Sequence, residues 1–187
     1  MKKNLAEIKL NNKGISILEL VVVIAIMSVI GVTLFLATSV ATDRHVTSCT
    51  NKISTAIEQT RSLTLGKQSG KIKFWVNANG EICAQLYING TEYGNEVQIG
   101  HTGLTVKFIY VYAPNPGMVV RRELGPIGSG EIELEFSRST GGVTRQVVGG
   151  TTEIAPEYLL KSIEVTNGHR TMTITVDTYT GRVNVNT

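Results

Sequence analysis

The chain has 187 residues, 42% of them hydrophobic and 18% charged, which is enough for one domain of ordinary size with a hydrophobic core. Its formal net charge of +3 comes from 18 basic and 15 acidic residues, and the excess lies in residues 1–14, which contain four lysines and one glutamate. Residues 15–187 are formally neutral, so composition excludes an overall basic field for binding nucleic acid.

Residues 1–14 form a short, polar and basic leader. The leader lacks the apolar core of an ordinary secretory signal, and its lysines are expected to stay on the cytoplasmic side of a membrane. Residues 20–42 follow without a charged side chain, and their number exceeds the roughly 20 residues that a helix needs to cross a bilayer. The sequence therefore predicts a long helix whose first half, residues 15–42, spans a membrane.

A second helical pattern follows directly in residues 43–66. Apolar residues recur at intervals typical of one helix face, and the charged residues lie largely off this stripe. The stripe consists of Val46, Cys49, Ile53, Ile57 and Leu63. Gly66 is a natural helix end. We expect an amphipathic half of the helix that packs on the domain behind it.

Residues 67–187 have the period of strands and predict a β-rich globular domain. Residues 71–76 and 81–88 flank Asn77-Ala78-Asn79-Gly80, a good hairpin connection. The further strand candidates are residues 104–112, 118–124, 131–136, 143–148, 160–166, 171–177 and 182–185. The predicted fold class is α+β, with a long N-terminal α-helix, membrane-spanning in its first half, packed on an antiparallel β-sheet or sandwich.

Candidate catalytic and metal-binding groups are sparse. His45, His101 and His169 are scattered along the chain, and no spacing of His, Cys and carboxylate residues fits a zinc site. No Gly-x-Ser-x-Gly motif occurs, and the glycine-rich residues 125–130 lie between predicted strands, without a helix N-terminus to hold a phosphate. We therefore predict no enzymatic activity, no metal and no cofactor.

The two cysteines, Cys49 and Cys83, have 33 residues between them, so they form neither a Cys-x-x-Cys metal motif nor a scaffold of several disulfides. If the domain is exported, its compartment permits one disulfide between them. Sequence gives no distance between the two sulfur atoms, so a bridge and two free thiols both stay open.

The most distinctive chemistry lies at Gly14, Ile15 and Glu19. Cleavage after Gly14 would leave the amine of Ile15 as a new N-terminus at the membrane boundary, where an amine with a pKa of about 7.7 to 8.0 is mostly protonated. Glu19 lies one helical turn further on and is costly to bury in lipid without a positive partner. That partner is its own amine and helix dipole, or the amine of a neighbouring subunit, which would set the register of assembly.

Lys13-Gly14 followed by Ile15-Ser16-Ile17-Leu18-Glu19 and an apolar run resembles the prepilin peptidase recognition region of type IV pilins and type II secretion pseudopilins. The resemblance covers residues 12–40. It implies cleavage by prepilin peptidase between Gly14 and Ile15, N-methylation of Ile15, and use of Glu19 in assembly with other pilins or pseudopilins on the assembly platform. It also implies a single pass through the cytoplasmic membrane, N-terminus inside and C-terminal domain outside, and a cell-surface pilus after assembly.

Two later stretches resemble the domain of GspH/FimT-type minor pilins and pseudopilins. One is Glu135-Phe136-Ser137-Arg138-Ser139-Thr140-Gly141-Gly142, and the other is Asp177-Thr178-Tyr179-Thr180-Gly181-Arg182-Val183. In that family the subunit is scarce and helps to initiate or cap a fibre. The resemblance therefore implies a structural subunit of the minor kind in a pilus or in a secretion or competence pseudopilus.

Two other functions stay open. Some FimT-type minor pilins bind DNA during uptake, which makes Arg170 and Arg182 the candidate DNA contacts, although residues 117–187 hold seven basic and eight acidic residues. Arg121 and Arg122 are interpreted as a solvated strand edge. The second alternative is a single-pass membrane protein with an enzyme or sensor domain outside the membrane, which retention of the leader would favour.

Overall fold

The computed structural model describes residues 16–66 and 68–186, with residues 31–42 described by their backbone only. The chain divides into two compact units, Met1–Val40 and Ala41–Thr187. The helix α1 covers Ile17–Thr64, and every strand of the described residues belongs to the second unit.

The helix α1 has a capped beginning and an anchored end. The backbone N–H of Leu18 donates to the hydroxyl oxygen of Ser16 at 3.3 Å, which makes Ser16 the N-cap. Beyond Thr64 the chain turns at Gly66, whose N–H donates to the carbonyl oxygen of Arg138 at 2.8 Å. This bond ties the end of α1 to the β-structure, where the predicted stop falls.

Eleven strands follow α1 in the part of the chain that the structure describes. They are β1 (Gly70–Val76), β2 (Ile82–Ile88), β3 (Thr91–Gly100), β4 (Thr105–Tyr112), β5 (Val119–Glu123), β6 (Ile132–Phe136), β7 (Val143–Val148), β8 (Thr152–Glu153), β9 (Tyr158–Thr166), β10 (Thr171–Val176) and β11 (Val183–Asn186). The first sheet has the order β3-β2-β1-β6-β7-β8, and the second has the order β11-β10-β9-β4-β5. All neighbouring strands pair antiparallel.

The strands coincide with the segments predicted from sequence, apart from β3 and β8. The first eight residues of β3 are exposed, and the strand is polar and contains glycine, so it lacks the apolar alternation of a half-buried strand. It forms because Asn89 and Gly90, with φ of 53° and 81°, make the tight turn that returns the chain alongside β2. Here the turn, and not strand propensity, determines the structure.

The part of α1 within the second unit enters the core through its apolar stripe. The fully buried members of the stripe are Val46, Cys49, Ile53 and Ile57. They belong to one core cluster that also contains residues of both sheets, including Ile72 of β1 and Ile163 of β9. Phe74 of β1 and Phe108 of β4 meet across the two sheets, with ring centroids 5.7 Å apart. The helix stripe and both sheets therefore share a single hydrophobic core.

The predicted fold class, a long N-terminal helix with a membrane-spanning first half packed on a sheet, is wrong. In the described residues, no helix is both long enough and apolar enough to cross a membrane. The fold is mostly antiparallel β-structure in two sheets. The composition of the core gives the physical reason. Among the largest fully buried side chains, only those of Ile53 and Ile57 come from α1. Helical periodicity identified the buried stripe, but it led to an overestimate of the share of the core that the helix supplies.

We predict that Ile53→Ala lowers the free energy of unfolding by about 2 to 5 kcal/mol, because the side chain is fully buried and its removal leaves a cavity. Glu58→Ala, at an exposed position of the same helix, is the control and should change stability by less than about 0.5 kcal/mol. Urea unfolding followed by the fluorescence of the buried Trp75 measures both. Equal stability of the two variants would contradict this account of the core.

Candidate functional site

Gly14 and Ile15 lie outside the described residues, so the processing site stays a prediction. Glu19 lies in the first turn of α1 and is exposed. With Ser16 as N-cap, Glu19 occupies the third helical position, where a carboxylate interacts favourably with the helix dipole. Glu19 therefore has a local role at the helix start beside its predicted assembly role, and an experiment must separate the two.

The beginning of α1 exposes apolar side chains on every side. The large hydrophobic residues between positions 17 and 30 are each 43% to 82% exposed. They are Ile17, Leu18, Leu20, Val21, Val22, Val23, Ile24, Ile26, Met27, Val29 and Ile30. We call residues 17–30 the apolar segment. The hydroxyl of Ser28 donates to the carbonyl oxygen of Ile24 at 2.7 Å, so even this polar side chain is satisfied within the helix.

The apolar segment differs in kind from the buried stripe of α1. An amphipathic helix has one apolar face, whereas these exposed positions run through several consecutive turns without a polar face. A helix that is apolar all round is normally covered by protein or by lipid. Exposed apolar surface of this extent marks an interaction site.

The two stretches that carry the minor-pilin resemblance meet in the structure. Residues 137–142 connect β6 to β7, and residues 177–182 connect β10 to β11. The N–H of Val143 donates to the carbonyl oxygen of Thr178 at 2.8 Å. A Cβ atom on Gly181, whose φ is 66°, would overlap the backbone of the other turn. Glycine is required there because the two turns touch through their backbones.

Arg61 connects the last turn of α1 to the same place. Its Nε–H donates to the carbonyl oxygen of Thr180 at 2.5 Å, and its side chain packs against Gly141. The two glycine turns therefore hold the end of the helix. The contacts between these turns are made through the backbone and through Arg61.

Cys49 and Cys83 are both free and buried. The sulfur of Cys49 faces the core, 2.9 Å from the position that a Cβ atom on Gly100 would take. Ile82 and Ala84 belong to the core cluster and Cys83 between them does not, because alternate residues of β2 face opposite sides of the sheet. The first sheet separates the two sulfur atoms, so the structure has two free thiols in place of the disulfide considered from sequence. Burial raises the pKa of each thiol to about 12.

The candidate DNA contacts lie at opposite ends of β10. Arg170 directly precedes this strand, and Arg182 follows the turn after it. The residues of β10 span roughly 20 Å, since a strand rises about 3.3 Å per residue. The structure therefore does not bring the two arginines together in one patch.

The histidines predicted to be scattered are in part brought together. The rings of His45 on α1 and His101 lie edge to face, with centroids 4.5 Å apart. Within residues 16–66 and 68–186, no group of three or more His, Cys, Asp or Glu side chains is placed to hold a metal ion. The histidine pair lacks the third protein ligand that a metal site of this kind has.

A cavity of about 590 Å³ at one edge of the two sheets was missed by sequence reasoning. Arg122 and Val120 of β5 line it, together with Tyr110 of β4. The interpretation of Arg121 and Arg122 as a solvated strand edge is confirmed, because both side chains are exposed and β5 is the edge strand of the second sheet. The cavity itself depends on the pairing of β5 with β4 and of β8 with β7, which spacing along the sequence does not give.

Comparison of the chain with family models, curated proteins and solved structures finds no match to any of them.

We predict that neither thiol of the folded protein reacts appreciably with iodoacetamide at pH 8, because both are buried and a pKa of about 12 leaves almost no thiolate. In denaturant without a reductant, both cysteines should be alkylated. Mass spectrometry counts the added groups. A denatured protein that needs a reductant before it is alkylated would show a disulfide and contradict the structure.

Proposed function

We propose that this chain is a structural subunit, of the minor kind, in a type IV pilus or in a related secretion or competence pseudopilus. The observation that carries the proposal is the apolar segment, exposed on every side and placed directly behind the Lys13-Gly14-Ile15 motif. In this proposal, prepilin peptidase cleaves after Gly14, and the amine of Ile15 is methylated.

The apolar segment needs a cover before and after assembly. Full burial of one Val, Leu or Ile side chain is worth about 1.5 to 3 kcal/mol, so leaving the whole segment in water is strongly unfavourable. Before assembly the cover is the apolar interior of the cytoplasmic membrane. In the fibre, the cover is the corresponding segments of other pilins or pseudopilins, joined on the assembly platform.

Transfer of the segment from lipid to a bundle of similar segments changes its apolar burial little, because lipid tails and leucine side chains are similarly apolar. Apolar contact therefore holds the segment without fixing its position along the bundle. A charge pair is directional and fixes one register. Glu19 is the acidic residue of the apolar segment, and the amine of a neighbouring Ile15 is the partner that we propose.

The second unit suits a domain carried on such a fibre. It has its own core, shared by the two sheets and the stripe of α1. Residues 15–187 carry no formal net charge, so repeated copies do not repel one another through a large net field. DNA binding is left out of the proposal, because Arg170 and Arg182 lie at opposite ends of β10.

We predict that co-expression with prepilin peptidase removes residues 1–14 and leaves Ile15 with one added methyl group. Gly14→Val should block cleavage, because a branched side chain then occupies the residue before the cut. Asn12→Val places the same side chain two residues upstream and should be cleaved normally. Intact-mass measurement of the three proteins reads the result. A wild-type chain that stays full length beside an active peptidase would contradict the proposal.

We predict that Glu19→Gln is cleaved normally but enters sheared fibres at least about tenfold less than wild type, because breaking a buried ion pair by removing one partner costs about 3 to 5 kcal/mol. Glutamine keeps the size of the side chain, and the interaction with the helix dipole that it loses is worth only about 0.3 to 1 kcal/mol. Glu58→Gln, an exposed position further along α1, is the control. Quantitative immunoblots of fibre and membrane fractions measure incorporation. Normal incorporation of Glu19→Gln would contradict the assembly role of Glu19.

A further inference from the structure

A second cavity, of about 330 Å³, opens on the outer face of the first sheet and is lined by Trp75 of β1 and Gln85 of β2, among others. Phe74 and Ala84 belong to the core cluster, so the next residue of each strand faces the other side of the sheet. Gln85 lies opposite residues 94–96 of β3, three residues against one, which makes a bulge beside the cavity. The volume is within the range of about 300 to 1,000 Å³ that ligand sites occupy.

Gln85 gives this cavity a fixed hydrogen-bond acceptor. The residue is 4% exposed, and its Nε2 donates to backbone carbonyl oxygens of β2 and β3 at 3.0 to 3.3 Å. Its Oε1 accepts no hydrogen bond from the described residues. The fully enclosed atoms without a partner in that part of the chain are Oη of Tyr110 and Oε1 of Gln146. Oε1 of Gln85 is not one of them, so it is accessible from the cavity.

Two aromatic side chains, Trp75 and Tyr87, form another part of the lining. Trp75 is 7% exposed, and its indole N–H has no partner among the described residues and is not fully enclosed. Nζ of Lys71 lies 5.0 Å from the ring centroid of Tyr87, so this ring already holds one cation. Rings of this kind also stack with the planar guanidinium group.

The charge of the cavity is negative. Glu92 and Glu96 line it, and neither forms an ion pair with the residues that the structure describes. The thiol of Cys83 lies beside the carboxylate of Glu96 and leaves its charge uncompensated. Lys73 also lines the cavity, but its Nζ is paired with Glu131 at 2.9 Å. The lining therefore favours a cation and disfavours an anion.

We propose that this cavity binds an arginine side chain presented by a partner protein. The guanidinium donates to Oε1 of Gln85 and to the carboxylates of Glu92 and Glu96, and its plane stacks against Tyr87. The indole N–H of Trp75 donates to a backbone carbonyl oxygen beside the arginine. Arginine fits because it has five donors and no acceptor, in a plane that matches carboxylates and aromatic rings. The site is independent of the apolar segment and of fibre assembly.

The test adds N-acetylarginine methylamide to the isotope-labelled full-length chain in detergent and follows the indole N–H signal by NMR. The chain has one tryptophan, so this signal reports on Trp75 alone. The matched ligands are the citrulline compound, which has nearly the same shape without the charge, and the lysine compound. We expect the arginine compound to shift the signal with half-saturation below about 10 mM, and the other two to need at least about tenfold more.

Glu92→Gln combined with Glu96→Gln should weaken binding of the arginine compound by about tenfold, because the charged acceptors are lost. Glu58→Gln combined with Glu157→Gln removes the same charge from exposed positions outside the cavity and should leave binding unchanged. Urea unfolding of both double variants verifies that a loss of binding is not a loss of folding.

Each other outcome overturns the proposal. An indole signal that does not move with the arginine compound would show that the cavity takes no arginine. Equal binding of the citrulline compound would show that charge is not recognised, and equal binding of the lysine compound would show attraction of any cation. The same loss in both double variants would show a general effect of net charge in place of a site.

Discussion

Burial of the apolar stripe of α1 against both sheets is the contact on which the β-rich unit depends. Ile53 and Ile57 have no exposed surface, and the cluster they share with the inner faces of the sheets is continuous. The contact also explains the close approaches around it. Cys49 packs onto Gly100, and Arg61 packs against two glycine turns at the helix end. Larger side chains in place of these glycines would push the helix out of the core.

The same helix therefore has two apolar surfaces, of which one is buried and the other is exposed. The stripe beyond Asp43 is covered by the chain itself, whereas the apolar segment is uncovered among the described residues. The described residues of the chain cover only the first. The proposed function follows from the second, since lipid and similar segments of other subunits are covers that a helix without a polar face accepts.

Sequence reasoning succeeded where the period of apolar residues determines the structure. The stripe of Val46, Cys49, Ile53 and Ile57 and the strands with alternating faces follow directly from periods of 3.6 and 2. It missed β3, whose polar residues form a strand because a tight turn places them beside β2. It was wrong on the fold class, because periodicity does not say which elements supply most of the core.

The site residues divide in the same way. The position of Glu19 in the first turn of α1 could be inferred from local sequence, since Ser16 is a favourable N-cap just before it. The positions of Cys49 and Cys83 on opposite sides of the first sheet and the separation of Arg170 from Arg182 depend on how the strands are arranged in the sheets. Such pairings cannot be read from spacing alone.

The central claim is that other subunits cover the apolar segment, and photocrosslinking in fibre-forming cells tests it most directly. A benzoylphenylalanine at Met27, which is 68% exposed, should give crosslinks to other pilin subunits, whereas one at the exposed Glu58 should give few or none. The Met27 crosslinks should disappear when the assembly platform is deleted. Crosslinking at Met27 only within the same chain, or equally with and without the platform, would contradict the account.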